Sequence, residues 1–288
     1  MEKYEKVSLK DYSSFRIGGE AKYLLVVESK EEVWEGIALA KERGLPWMIL
    51  GNGSNVLFDD RGYDGVILKP GAGMGTVEVK GTELMAGAGA RLAAVARKAC
   101  EEGLSGLSFA GGIPGTVGGG LWMNAGAYGG EMKDVVKEAE VLMPDGQVRI
   151  FTGEELDLSY RHSVLQENGG IVLSVLFSLE QGDKNEILET MKDYNRRRME
   201  KQPLEFASAG STFRRPAGHY AGQLIEEAGL KGYRVGDAMV SEKHAGFVIN
   251  VGNATQKDVL AVIRHIQDEV RRKFNVELET EVRIIPFQ

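Results

Sequence analysis

Residues 103–130 read GLSGLSFAGGIPGTVGGGLWMNAGAYGG, and eleven of these 28 positions are glycine. Pro114 and several bulky apolar side chains punctuate the glycines, so the run is not a flexible linker of the Gly/Ser kind. Glycine at this density lets main-chain amides face inward and approach a bound group that a Cβ would push away. A wall this long and this varied suits a large anionic cofactor better than a single phosphate.

The flanking sequence predicts an α+β (mixed α/β) fold. Upstream, residues 24–27 read as a strand, and Ser29 with Glu32 three positions later is a capping-box signature. Val33, Ile37 and Ala40 then recur at helical spacing, and residues 47–50 return as a strand that ends on Gly51-Asn52-Gly53-Ser54-Asn55. That is a β-α-β unit with a polar glycine turn at the carboxyl end of its second strand, where α/β folds tend to bind ligands. Further strands are expected at 66–68, 77–79, 84–86 and 171–179, a helix at 90–102, and a hairpin at 139–151 around Pro144-Asp145-Gly146. Helices are expected at 185–199 and 221–228. A third, longer one is expected after Thr255, with Val259, Val262, Ile263, Ile266, Val270 and Phe274 as its buried stripe. Residues 276–284 alternate apolar with charged and predict one strand, with Glu277, Glu279, Glu281 and Arg283 on its polar face. A domain boundary is expected near residues 200–203.

Composition narrows the function. The formal charge of −7, from 35 basic and 42 acidic residues, argues against broad nucleic-acid binding. The single cysteine, Cys100, leaves no internal disulfide and no multi-cysteine metal site, and the four histidines show no ligand spacing, so no metal is expected. No apolar run is long enough to span a bilayer and the N-terminus has no signal core, which predicts a cytoplasmic protein without a membrane partner. The spacing G-x-G-x-x-G is absent and Gly-Lys never occurs, so neither a Rossmann fingerprint nor a Walker A loop is present. What remains is two separated glycine elements, residues 51–55 and 111–130. Two such elements favour an extended cofactor over two isolated tight turns.

Four motifs stand in order: Phe15-Arg16-Ile17-Gly18-Gly19, Leu50-Gly51-Asn52-Gly53-Ser54-Asn55-Val56-Leu57, residues 111–119 (GGIPGTVGG) and Asn124-Ala125-Gly126-Ala127-Tyr128-Gly129. With Ser159-Tyr160-Arg161, residues 209–213 (AGSTF) and residues 278–283 (LETEVR), they closely resemble the UDP-N-acetylenolpyruvoylglucosamine reductases. These are flavoenzymes that complete UDP-N-acetylmuramate in bacterial peptidoglycan synthesis. The resemblance covers about residues 15–284, and the length is similar to the shorter variety of that family.

The resemblance implies an FAD-binding fold of the p-cresol methylhydroxylase type in two lobes, 1–70 and 71–199, and a substrate domain at 200–288. FAD is then the cofactor, NADPH the reductant and a UDP-sugar the substrate. Apart from the resemblance, the acidic balance and the lack of heptads make a monomer the expected state. The resemblance places the cofactor against Gly51, Asn52, Gly53, Ser54, Asn55, Val56, Gly112, Ile113, Pro114, Gly115, Thr116, Gly118, Gly119, Asn124, Ala125, Gly126 and Arg198. Lys201, Arg215, Lys243 and His244 are expected near the anionic substrate.

The implied reaction moves hydride from flavin N5 to the enolpyruvyl methylene, and negative charge spreads from the adjacent carbon into the carboxylate. Arg161 suits that carboxylate, because its planar fork pairs with growing charge. Ser211 is the expected proton donor to the carbanion. Glu281 is expected to hold a proton and donate a hydrogen bond, because two carboxylates in contact cannot both stay ionised cheaply. Another FAD oxidoreductase of the superfamily and a non-catalytic flavin-binding protein are the alternatives.

Overall fold

The computed structural model describes residues 1–288, and its elements make a mixed α+β protein. Contacts group the chain into two units. The first comprises Met1–Tyr4, Leu24–Asn52 and Val66–Arg198; the second comprises Glu5–Tyr23, Gly53–Gly65 and Met199–Gln288. Segments of the expected first lobe are thus divided between the two.

The first unit is built on a five-stranded antiparallel sheet. Its strands run in the order Val148–Thr152, Val136–Leu142, Ile171–Ser178, Glu83–Gly87 and Val77–Lys80. The expected hairpin is its first pair. Helix α1 (Lys30–Glu42) starts at Ser29, whose hydroxyl accepts from the Glu32 amide at 3.3 Å. Glu32 reaches past the cap to accept from the Glu28 amide at 2.8 Å. In the second sheet, Gly62–Pro70 lies between Glu20–Val27 and Trp47–Ile49, so the two strands of the expected β-α-β unit are not neighbours. Helix α2 (Leu92–Glu101) buries Leu92, Val95, Ala96, Ala99 and Cys100, a spacing that puts one face into the main core.

The glycine run folds into short regular pieces. A 3-10 turn at Ser108–Gly112 is followed by α3 (Val117–Trp122) and a hairpin of Gly126–Ala127 with Gly130–Glu131. Close packing accounts for part of its glycine. An added Cβ would lie 2.9 Å from Leu92 at Gly120 and 2.8 Å from Phe109 at Gly130. After α4 (Leu165–Asn168), helix α5 (Lys184–Lys201) runs on past the expected end at 199.

The second unit packs α6 (Ala221–Glu227) and α7 (Gln256–Phe274) with an antiparallel sheet of Arg234–Val235, Ala238–Val240 and Val248–Asn250. Thr255 caps α7 in a reciprocal box with Asp258, and Asn275 ends it in the left-handed conformation. The expected stripe of α7 is buried from Val259 to Val270, with Phe274 partly covered at its edge. Phe15, Ile17 and Leu57 complete the same core.

The strand expected at 276–284 is a correction. Only Arg283–Ile285 forms a strand, parallel to Val56–Phe58. Residues 276–282 keep the alternating burial, with Leu278 and Val282 inside, but pair only through an isolated bridge between Thr280 and Phe213. Period-2 patterning reported the buried face correctly; the absence of a continuous partner strand denied it a ladder.

Candidate functional site

In the first unit the two glycine elements meet. The Asn52 side-chain amide donates to the Pro114 oxygen at 2.8 Å, and a Cβ on Gly51 would strike the Thr116 hydroxyl. The main-chain amides of Gly51, Asn52, Gly115 and Thr116 donate to no protein acceptor. Such a row is unusual, because backbone donors in folded proteins are nearly always paired with something. Other amides of the wall are occupied. Gly118 donates to Ala88 at 2.9 Å, Gly119 to the Thr116 hydroxyl at 3.4 Å, Ile113 to Ala110 at 3.1 Å and Ala125 to Gly120 at 2.8 Å. Gly126 sits in the hairpin, where a Cβ would lie 2.8 Å from Glu131.

Arg198 lies against Gly112, its Nη1 3.3 Å from where a Cβ would stand. Burial pulls its guanidinium down from the ordinary arginine value, and no carboxylate pairs with it. Tyr128 stacks on Tyr194 beside it, with ring centroids 4.4 Å apart.

Asn124 is fully buried and takes a left-handed φ of 40°. Its side chain donates to Glu131 at 2.7 Å and to the Ser159 oxygen at 2.9 Å, and accepts from the Lys133 amide at 2.9 Å. Both donors of the side chain are spent inside the protein, and neither is left over for a cofactor. The side chain anchors the turn carrying Arg161. Ser159 and His162 exchange main-chain bonds of 3.2 and 3.1 Å across that turn, and Arg161 takes a φ of 56°. Gln166 donates to the Arg161 oxygen at 3.1 Å and to the Trp122 oxygen at 2.8 Å. Left-handed residues without glycine are uncommon and gather at working sites.

The second unit contains Gly53, Ser54, Asn55 and Val56, and the amides of Gly53, Ser54 and Asn55 also donate to no protein group. Gly53 has a φ of 61°, and its oxygen accepts from the Ser14 amide at 3.1 Å. Asn55 donates from its side chain to the Glu281 oxygen at 3.1 Å, and the Glu281 amide donates to Thr212 at 2.8 Å. Main-chain bonding therefore sets Glu281 beside the segment that carries Ser211. The Ser211 hydroxyl is half-buried and engages no protein group. Next to it, Thr212 is held by its hydroxyl, which accepts from Val248 at 3.0 Å.

The expected substrate cations are less uniform. Lys201 is exposed at the end of α5, and Arg215 lies 3.9 Å over the Tyr220 ring. Lys243 is committed to the Met199 oxygen at 2.7 Å. The His244 Nδ1 accepts from the Gly246 amide at 3.1 Å, and burial lowers its pKa from the ordinary value. Sequence reading passed over Lys69 and Arg91 in the first unit and Arg214 in the second. Isolated cations carry no periodic signal, and only their surroundings mark them.

A model of the UDP-N-acetylenolpyruvoylglucosamine reductase C-terminal domain matches residues 202–285, and an FAD binding domain model matches residues 21–152. The UDP-N-acetylenolpyruvoylglucosamine reductase of Alkaliphilus oremlandii is 50% identical over 277 residues, 96% of this chain and 91% of that one. That of Caldanaerobacter subterraneus subsp. tengcongensis is 50% identical over 282 residues, 98% and 93%. The crystal structure of the Thermus caldophilus reductase aligns with a TM-score of 0.84 at 40% identity, covering 99% of this chain and 98% of that one. The chain belongs to the UDP-N-acetylenolpyruvoylglucosamine reductase family.

The residues of this reductase-family chain fit a flavin dinucleotide. Within the first unit, the uncommitted amides of Gly51, Asn52, Gly115 and Thr116 are donors suited to phosphoryl oxygens, and Arg198 is a cation without an acid. No group of three His, Cys, Asp or Glu side chains is placed to hold a metal ion, and no helix is long and apolar enough to cross a membrane.

Proposed function

We propose that the protein reduces UDP-N-acetylglucosamine enolpyruvate to UDP-N-acetylmuramate, with FAD as cofactor and NADPH as reductant, in peptidoglycan synthesis. The observation that carries this reading is the row of uncommitted amides, together with an unpaired, partly buried Arg198 against Gly112 of the same glycine run, in a chain of this family. When bound, FAD supplies a two-electron carrier between the two substrates. Main-chain donors at Gly51, Asn52, Gly53, Ser54, Asn55, Gly115 and Thr116 would hold it, with the Arg198 guanidinium.

Arg161 takes the enolpyruvyl carboxylate. Its left-handed turn, fixed by Asn124 and Gln166, keeps the guanidinium ready before charge grows on the substrate. The Ser211 hydroxyl, engaged by no protein group, gives its proton to the carbon next to that carboxylate. Glu281, held through its main chain by Thr212 and Asn55, donates a hydrogen bond to the carboxylate. Lys201 and Arg215 serve the anionic UDP-sugar, and the enzyme works as a cytoplasmic monomer.

Three observations on purified protein test the reading. Bound flavin should colour it yellow, anaerobic NADPH should bleach it, and the enolpyruvyl sugar should restore the colour. A colourless protein that takes up no added FAD would overturn the reading. Bleached protein reoxidised by oxygen but not by the sugar would do the same.

A further inference from the structure

Two cations in the first unit have no part in the roles above. Lys69 stands near the end of the strand Gly62–Pro70, and its Nζ donates to the Gly51 oxygen at 2.9 Å. Arg91 precedes α2 and forms an isolated bridge with Thr116. The two segments touch, since a Cβ on Gly89 would lie 3.0 Å from Pro70. One cation therefore sits behind Gly51 and the other beside Thr116, the residues that supply uncommitted amides.

No carboxylate pairs with either side chain. Lys69 is half-buried and has one acceptor for its three ammonium protons. Burial first, and Arg91 second, push its ammonium below the ordinary lysine value. Two cations close enough to disfavour each other, in a chain with net charge −7, stand where a phosphate would compensate both. The neighbouring acid Glu28 is turned elsewhere, accepting from the Gly73 amide.

We propose that Lys69 and Arg91 form a phosphate-binding pair that, with the amides of Gly51 and Thr116, takes the diphosphate of the bound flavin dinucleotide. The assignment rests on the flavin reading above. Its chemistry, a cation pair on phosphoryl oxygens, is shared with the 2′-phosphate of NADPH, and the test separates the two.

Apoprotein of wild type, Lys69→Met and Arg91→Gln is titrated with FAD and with riboflavin at several salt concentrations, and turnover is measured with NADPH and NADH. Arg91→Gln alters an exposed side chain with no ion pair, so it remains informative if Lys69→Met folds poorly. Each variant should weaken FAD binding about tenfold, with a shallower salt dependence and no change for riboflavin. If FAD binding holds while the preference for NADPH over NADH collapses, the pair binds phosphate but the source is the reductant. Unchanged FAD affinity with unchanged preference overturns the proposal, as does equal loss for FAD and riboflavin. Neither result touches the flavin reading, which wild-type bleaching and reoxidation decide.

Discussion

The side-chain amide of Asn124 donates at 2.9 Å to the main-chain oxygen of Ser159, two residues before Arg161. Asn124 has no solvent exposure and makes three hydrogen bonds with its side chain. Asn124→Ala leaves Glu131, Lys133 and Ser159 each short of a partner, at a cost of about 3 kcal/mol. We expect a lower thermal midpoint, unchanged bleaching by NADPH and weaker saturation by the enolpyruvyl sugar. A variant with wild-type sugar affinity would show that the contact does not aim Arg161.

Ser211 and Glu281 have tasks only after the flavin is reduced. Ser211→Ala and Glu281→Gln should bleach with NADPH at the wild-type rate, then reoxidise with the sugar about 10²–10⁴-fold more slowly. Stopped-flow absorbance at the flavin band separates the two steps. Slowed bleaching would mean that the roles are misassigned.

Gly53 has a φ of 61°, and a Cβ there would run into the Tyr12 oxygen. Gly44 has a φ of 63° with open space around it. Gly44→Ala should therefore cost about 1 kcal/mol in denaturant unfolding, from backbone strain alone. Gly53→Ala carries the same strain plus a main-chain collision, and should cost clearly more. Equal costs would show that the loop shifts freely away from Tyr12.

His244 should make stability fall on acidification. Its pKa is lowered chiefly by burial, with Lys231 and Lys201 acting in the same sense, while a main-chain hydrogen bond at the residue itself and the Glu226 carboxylate act in the opposite one. Because the folded value lies below the unfolded one, the unfolded chain binds the proton first. The histidine's contribution is then full above the unfolded value of about 6.5 and is lost as pH falls through the folded value. His244→Gln should flatten the stability profile on the acid side of that point. An unchanged slope in denaturant midpoints between pH 5 and about 7 would remove the assignment.

Helix starts were the most legible part of the sequence, because a cap is local chemistry. Ser29 and Thr255 each accept from the amide three residues on, as their spacing foretold. The glycine run announced a close approach of backbones, but periodicity could not say how much of it serves packing against Leu92 and Phe109. Residues 276–282 had the right alternation without a ladder, since pairing depends on a distant segment. Lys69 and Arg91 were invisible for the same reason: what distinguishes them is the missing counterion, a property of the fold. The motif marks Asn124 as a cofactor position, and its three side-chain partners add a second task, a brace for the Arg161 turn, that no spacing could show.

The second unit draws Phe15, Ile17 and Leu57 into one core with residues from the chain's final third. During synthesis, those early apolar side chains leave the ribosome long before Val282 or the Arg283–Ile285 strand exists to cover them. The nascent chain must carry them exposed through most of translation, a window in which a chaperone has something to hold. A fragment beginning at Met199 would lack part of its own interior, so this half of the protein cannot be obtained by simple truncation.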